Sequence, residues 1–383
     1  MYLRRLLEKT IKKVQATFPA VVITGPRQSG KSTLLRNIFP DKKPTYLSLE
    51  NPNVRSLMME DPLGYLEKQP KPVVLDEIQE FPEIASYVKI LVDRERKPGR
   101  WFITGSQQFS VMKNVSESMA GRAAILALPP FQLKERRDVR TLRDVLFRGS
   151  YPELAVNKKV DTQVWYSSYV QTYLERDVRK LVAVQDLREF ERFLRLLAAR
   201  TGQALNYSAL SGELGVSVPT VKRWVSVLEA SYVVFLLPPY FNNFGKRIVK
   251  APKIYFFDIG LVNYLLGIRH PDHVINNPMA GAIFETAVVS EILKLRYAEG
   301  VKPELYYWRS QSGIEIDLIV SEKQGYVPYE IKLSSTIKPL FYKNLRYWLE
   351  LGKRNSKTGY LITDCSEDLP LPADIKNIHW KNL

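Results

Sequence analysis

Gly25-Pro26-Arg27-Gln28-Ser29-Gly30-Lys31-Ser32 completes the pattern G-x-x-x-x-G-K-[ST], and its flanks decide the fold. The apolar run Ala20-Val21-Val22-Ile23-Thr24 precedes it, and the helix-like Thr33-Leu34-Leu35-Arg36-Asn37-Ile38 follows. Strand, glycine loop and helix in that order are the context phosphate binding requires. Gly25 and Gly30 let the backbone close around a phosphate with no Cβ in the way, so the loop N–H groups line an anion nest. The helix that follows adds its positive N-terminal end. Lys31 can then reach the β- and γ-phosphates, and the Ser32 hydroxyl is placed for Mg²⁺. The expected nucleotide-binding segment is therefore Gly25, Pro26, Arg27, Gln28, Ser29, Gly30, Lys31, Ser32 and Thr33, with ATP and Mg²⁺ as cofactors.

Outward from the loop, short apolar runs alternate with helical stretches over residues 1–145, the pattern of an α/β domain with a largely parallel sheet. Strands are expected at Ala20–Thr24, Thr45–Ser48, Val73–Asp76, Trp101–Thr104 and Ala123–Leu128. Val73-Val74-Leu75-Asp76-Glu77 ends in two adjacent acids, which gives Asp76 the Mg²⁺ shell and Glu77 the attacking water. Trp101-Phe102-Ile103-Thr104-Gly105-Ser106 carries hydroxyls at its tip, and Thr104 and Ser106 are candidates to sense the γ-phosphate; ordinary turn chemistry is the alternative.

The chain has 383 residues, too many for one ordinary core, so two to four domains are expected. With 45% hydrophobic and 25% charged residues it is globular in composition, and no stretch reaches the roughly 18 apolar residues of a membrane span. The N-terminal Met1-Tyr2-Leu3-Arg4-Arg5 carries charge where a signal peptide needs an apolar run, and the single Cys365 excludes an internal disulfide. A cytoplasmic location without membrane partners is expected. The excess of 56 Lys+Arg over 40 Asp+Glu, a net charge of +16, favours a polyanionic partner, most simply nucleic acid; a solvated surface or attraction to acidic membrane would also produce it.

Residues 146–202 read as a helical lid, with Leu194, Leu197 and Ala198 spaced as one buried helix face. Residues 203–257 read as a winged helix-turn-helix: Tyr207–Leu214, the turn Gly215-Val216-Ser217, Val218–Glu229, a strand Tyr232–Leu237, a basic loop and the strand Lys253–Phe257. Thr220, Lys222, Arg223 and Ser226 are candidate DNA contacts from its second helix, and Lys246, Arg247 and Lys250 from its wing. The same module could serve subunit packing alone. His270, His273 and His379 lack a credible ligand or nucleophile partner, and His270-Pro271-Asp272-His273 reads as a surface loop.

Residues 258–383 place a helix at Ala282–Leu295, then strands near Leu305–Trp308, Glu315–Val320 and Val327–Leu333, a helix near Leu340–Leu351 and a strand at Gly359–Thr363. Alternation puts Glu330 and Lys332 on one face, which Asp317 approaches if the two strands pair. Asp317 and Glu330 could then hold a second Mg²⁺, with Lys332 positioning a water. This set resembles the PD-(D/E)XK nuclease superfamily, in which Glu285 matches an additional acid. Such a domain can equally be kept for DNA binding or scaffolding without cleavage.

Gly25–Ser32, Leu75-Asp76-Glu77, Ile103-Thr104-Gly105-Ser106 and Ala120-Gly121-Arg122 follow the order found in AAA+ ATPases. More narrowly, the chain resembles bacterial and archaeal AAA+ proteins with a C-terminal restriction-endonuclease-like domain, and Tyr173-Leu174-Glu175-Arg176-Asp177-Val178 is similar to a stretch typical of that group. The resemblance implies oligomeric ATP hydrolysis, commonly in a ring such as a hexamer. In such rings an arginine of one subunit completes its neighbour's site; Arg122 matches that position, an intrachain ion pair being the alternative, while Arg176 or Arg179 could supply a lid arginine. The expected function is an ATPase that remodels or translocates DNA, branched DNA being one candidate load. A regulatory nucleotide switch and an ATP-regulated nuclease are the alternatives.

Overall fold

Five strands, β1 (Ala20–Thr24), β2 (Thr45–Ser48), β3 (Val73–Asp76), β4 (Trp101–Thr104) and β5 (Ala123–Ala127), pair in the order β2-β3-β4-β1-β5, every neighbour parallel. They coincide with the expected strands except that the last ends one residue sooner. Alternation along these runs sends Val21, Ile23, Val74 and Phe102 into one core and Ala20, Val22, Val73, Leu75, Trp101 and Ile103 into another, on the sheet's two faces. Helix Lys31–Asn37 contributes Leu34 and Leu35 to the first, and helix Ile84–Arg94 contributes Val88 and Val92 to the second. Because all five strands run the same way, their C-terminal ends share one edge, where open α/β sheets bind ligands.

The computed structural model describes residues 2–39, 43–105, 119–137, 141–174, 187–240, 251–323, 325–351, 356–367 and 369–383. Two compact units emerge: Met1–Phe131 with Ala230–Tyr232 and Lys294–Lys302, and Gln132–Glu229 with Val233–Leu293 and Pro303–Leu383.

In the second unit, helices Tyr207–Leu214 and Val218–Ala230 are joined at Gly215, whose φ of 72° ends the first helix in the left-handed region. Phe190 and Phe193 of helix Leu187–Ala198 pack on Trp224. Two antiparallel strands follow, β6 (Val234–Leu237) and β7 (Lys253–Phe256). Next comes helix Ala280–Ala298, then β8 (Leu305–Arg309), β9 (Glu315–Glu322), β10 (Gly325–Ile331), helix Pro339–Glu350, β11 (Gly359–Thr363) and β12 (Ile375–His379). The last five strands pair in chain order, β8-β9-β10 antiparallel and β10-β11-β12 parallel. Ile316, Ile319, Leu345, Trp348, Leu361 and Ile375 form the core between this sheet and helix Pro339–Glu350.

Two local readings need correction, and one strand was not anticipated. Tyr232 does not begin β6: its φ of 57° is left-handed, which no strand residue adopts, and the strand starts at Val234. The strand β12 has no apolar run to announce it, since Lys376 and Asn377 occupy its middle. His270 is not in a loop but caps helix Pro271–Ile275, accepting a hydrogen bond from the Asp272 N–H.

Candidate functional site

The loop after β1 opens at Gly25, buried at a φ of 146°; a Cβ there would lie 2.3 Å from the Leu128 carbonyl oxygen. Only glycine fits, because the loop must pass this close to the chain leaving β5. Gly30 (φ 92°) turns the chain into helix Lys31–Asn37. Lys31 is buried, and its Nζ donates to the carbonyl oxygens of Pro26 (2.8 Å) and Gly25 (3.1 Å), which lays the ammonium along the loop. Ser29 Oγ is buried and makes no hydrogen bond among the described residues. The close-packed Gly25 and this unspent hydroxyl are what a loop shaped around a polar guest would contain, so these residues fit a nucleotide phosphate. Arg27 is half-buried, Gln28 is exposed, and Thr33 is exposed at the start of the helix.

Asp76, at the end of β3, is where the two nucleotide motifs meet. Its carboxylate accepts the Ser32 hydroxyl at 3.0 Å on Oδ1, the Thr104 hydroxyl on the same oxygen, and the Tyr46 hydroxyl on Oδ2. Glu77 has a φ of 58°, and its N–H donates to Thr104 Oγ1 at 3.0 Å while its own carboxylate accepts from the Gln79 amide. Thr104 therefore holds both acids at once. It can do so because β4 is inserted between β1 and β3, side by side with each. Tyr46 stands on β2 with the Arg36 guanidinium 4.4 Å from its ring centre. Burial and the hydrogen bond to Asp76 push its hydroxyl well above the ordinary tyrosine range, so it stays a donor.

Sequence reading missed three contributors. Tyr46 is one. Arg5 is another: buried, it donates to the carbonyl oxygens of Ser29 (2.8 Å) and Pro129 (2.7 Å) and lies 4.7 Å from the Phe131 ring centre, pinning the outside of the phosphate loop to the segment after β5. Tyr232 is the third, its hydroxyl 2.7 Å from Thr24 Oγ1 at the root of the loop. None carries a motif; each is one aromatic or basic residue among many.

Arg122 forms a two-pronged ion pair with Asp93, Nε to Oδ1 at 2.5 Å and Nη2 to Oδ2 at 3.0 Å. It precedes β5, whose first residue Ala123 pairs with Ala20, so it stands at the sheet edge opposite its own phosphate loop. Ser106, Arg176, Arg179, Lys246, Arg247 and Lys250 lie outside the described residues. On helix Val218–Ala230, Lys222, Arg223 and Ser226 are exposed, while Thr220 is half-buried with its hydroxyl 2.8 Å from Ser217 Oγ. Val221, Val225 and Leu228 face inward, as their spacing requires.

A second charged group gathers in the C-terminal sheet. The pairing of β9 with β10 runs to Leu318–Tyr329, and two residues beyond it the Ile331 N–H donates to Asp317 Oδ2 at 2.8 Å. Lys332 Nζ then lies 2.8 Å from Glu330 Oε1 and 3.2 Å from Asp317 Oδ2, so these three residues do meet. Glu285 is instead engaged by β7: Tyr255 donates to its Oε1 at 2.5 Å, and Lys253 Nζ lies 3.3 Å from that oxygen and 2.6 Å from Glu315 Oε1. Burial pushes Glu285 and Glu330 above the ordinary carboxylate range, with Asp317 nearby adding to both. Burial works against the charge on Lys253 and Lys332, yet their acidic neighbours outweigh it and hold both above the usual lysine range.

Three family models match the chain: "AAA domain" over residues 17–136, and domains of unknown function over 139–272 (DUF8612) and 280–383 (DUF4143). An uncharacterized protein of Mycobacterium tuberculosis is 32% identical over 87% of this chain and 74% of its own length. An uncharacterized protein of Methanocaldococcus jannaschii is 21% identical over 94% of this chain and 83% of its own. Among solved structures, a Walker-type ATPase of Pyrococcus abyssi gives a TM-score of 0.47 at 14% identity, covering 69% of this chain and 96% of that one. AMPPCP-bound DnaA of Aquifex aeolicus gives 0.30 at 14% identity, covering 59% and 84%. Among the described residues no helix is long and apolar enough to cross a membrane.

Proposed function

This chain belongs to a family of AAA-type P-loop ATPases, and from that premise we propose that it hydrolyses ATP with Mg²⁺ as an oligomer and spends the cycle on moving or remodelling DNA. The observation that carries the catalytic half is the 3.0 Å hydrogen bond from Ser32 to Asp76, which joins the phosphate loop to the acidic strand end at one edge of the sheet. The loop N–H groups and Lys31 would hold the β- and γ-phosphates; Ser32 and Asp76 would hold Mg²⁺, which neutralises charge on the phosphates. Glu77 would accept the proton of the attacking water, with Thr104 fixing its backbone against Asp76. Arg122 stands at the end of the sheet opposite its own loop, so a catalytic role for it would lie in the site of a neighbouring subunit, in a ring.

DNA as the load rests on the net charge of +16 and on helix Val218–Ala230, where Lys222, Arg223 and Ser226 are exposed. Helix Tyr207–Leu214, the Gly215 turn, that helix and the pair β6–β7 make the succession of a winged helix-turn-helix. The order helix, three strands, helix, two strands after Ala280 supports the restriction-endonuclease-like reading of the C-terminal sheet. A steady-state ATPase assay across duplex, single-stranded and branched DNA tests the whole proposal. DNA should raise the rate, and Lys31→Ala should abolish it. Equal rates with and without every DNA would remove the motor reading and leave a nucleotide switch.

A further inference from the structure

A carboxylate offers about four lone-pair sites, two on each oxygen. On Asp76, which is 5% exposed, hydroxyls take three of them: those of Ser32 and Thr104 on Oδ1, and that of Tyr46 on Oδ2. Among the described residues one site is left, and it lies on the oxygen that Tyr46 holds. Burial alone asks for less than this, because Ser32 and Thr104 already pair the carboxylate.

Tyr46 reaches Asp76 from β2, the strand at the sheet's edge. Its backbone pairs with Val74, two residues before Asp76, so alternation raises the two side chains from one face of the sheet. An aromatic side chain is long enough to cross that diagonal. Nor is the ring loose. Arg36 stands one turn after Ser32 on helix Lys31–Asn37, and its guanidinium lies 4.4 Å from the ring centre. The helix that presents Ser32 to Asp76 therefore also seats the ring that holds the other oxygen.

We propose that Tyr46 is a positioning residue for the divalent ion: by holding Asp76 Oδ2 it fixes the rotation of the carboxylate and so the direction of its one remaining acceptor site. The role rests on the proposed binding of Mg²⁺ and ATP at Ser32 and Asp76. Partners that orient a ligating carboxylate are worth about tenfold to a hundredfold in metal affinity. The test is Mn²⁺ titration of the full chain with ADP by electron paramagnetic resonance, beside binding of a fluorescent ADP analogue in EDTA. The parent should bind about one Mn²⁺ per chain with ADP, and Asp76→Asn should weaken it. Tyr46→Phe keeps the ring and its place beside Arg36 but drops the hydroxyl. It should bind Mn²⁺ about tenfold to a hundredfold more weakly, with metal-free nucleotide binding unchanged. In the Asp76→Asn background the same change should add nothing, because the hydroxyl acts through that carboxylate. Tyr46→Leu, which also lacks the hydroxyl, replaces Tyr46→Phe if that variant does not fold. Mn²⁺ binding equal to the parent's overturns the role of Tyr46 and leaves the ATPase reading standing. An equal loss of metal-free nucleotide binding does the same, since a general packing role would produce it. A parent that binds no Mn²⁺ with ADP overturns both.

Discussion

Thr104 donates its hydroxyl hydrogen bond to Asp76 and accepts one from the N–H of Glu77, so one side chain sets the spacing of two acids. Thr104→Ala leaves a half-buried N–H and a buried carboxylate oxygen each short of a partner, a loss of about 1–3 kcal/mol per group. If that loss falls on the arrangement that activates water, kcat should drop by about tenfold to a hundredfold while KM for ATP changes little, since about 1.4 kcal/mol is tenfold in rate. Thr104→Ser, which keeps the hydroxyl, should recover most of it. A variant that loses KM and kcat together would assign Thr104 to nucleotide binding instead. Steady-state kinetics of the two variants separates the outcomes.

At the scale of elements, the phosphate loop depends on its approach to the chain after β5. Gly25→Ala puts a Cβ against the Leu128 carbonyl and forces a left-handed φ on an L residue. The expected cost is about 1–3 kcal/mol of stability, read as a lower melting temperature, together with loss of ATP binding by titration calorimetry. A Gly25→Ala protein that binds ATP as tightly as the parent would mean that the loop reshapes freely. Why the glycine was legible in the sequence is physical: a residue type that tolerates such crowding stands out at fixed spacing. The strands were legible for a similar reason, because parallel strands buried on both faces read as unbroken apolar runs. Tyr46, Arg5 and Lys253 were not legible. Each acts through a partner far along the chain, and an aromatic on a strand, an arginine near the N-terminus or a lysine in an apolar run looks the same with that partner or without it. The strand β12 escaped because its Lys376 and Asn377 break the apolar signal, and Tyr232 because a left-handed φ leaves no trace in composition.

For the whole molecule, the placing of Arg122 makes a claim about assembly. Paired with Asp93 at the edge opposite its own nucleotide loop, it has a catalytic role only if copies of the chain meet so that it faces another copy's phosphates. Arg122→Ala and Lys31→Ala should then each lower ATPase activity by about 10³-fold when assayed alone, the scale of a missing arginine finger. An equimolar mixture should regain activity, because some junctions would pair an intact loop with an intact arginine. A mixture as inactive as its components, under conditions where the copies exchange, would confine Arg122 to its ion pair.

The strand order also has a consequence in time. β1 is the first strand to leave the ribosome, yet its two neighbours, β4 and β5, are the last strands of its sheet to be made. Until residues 101–127 have been synthesised, Ala20–Thr24 has no strand on either side, and Gly25 lacks the Leu128 carbonyl against which it packs. Parallel pairing at such sequence distance is slow, because the intervening loop must close before any contact rewards it. The nascent chain therefore carries this fully buried strand uncovered until most of its sheet has been made, and the nucleotide loop is finished only when that sheet is complete.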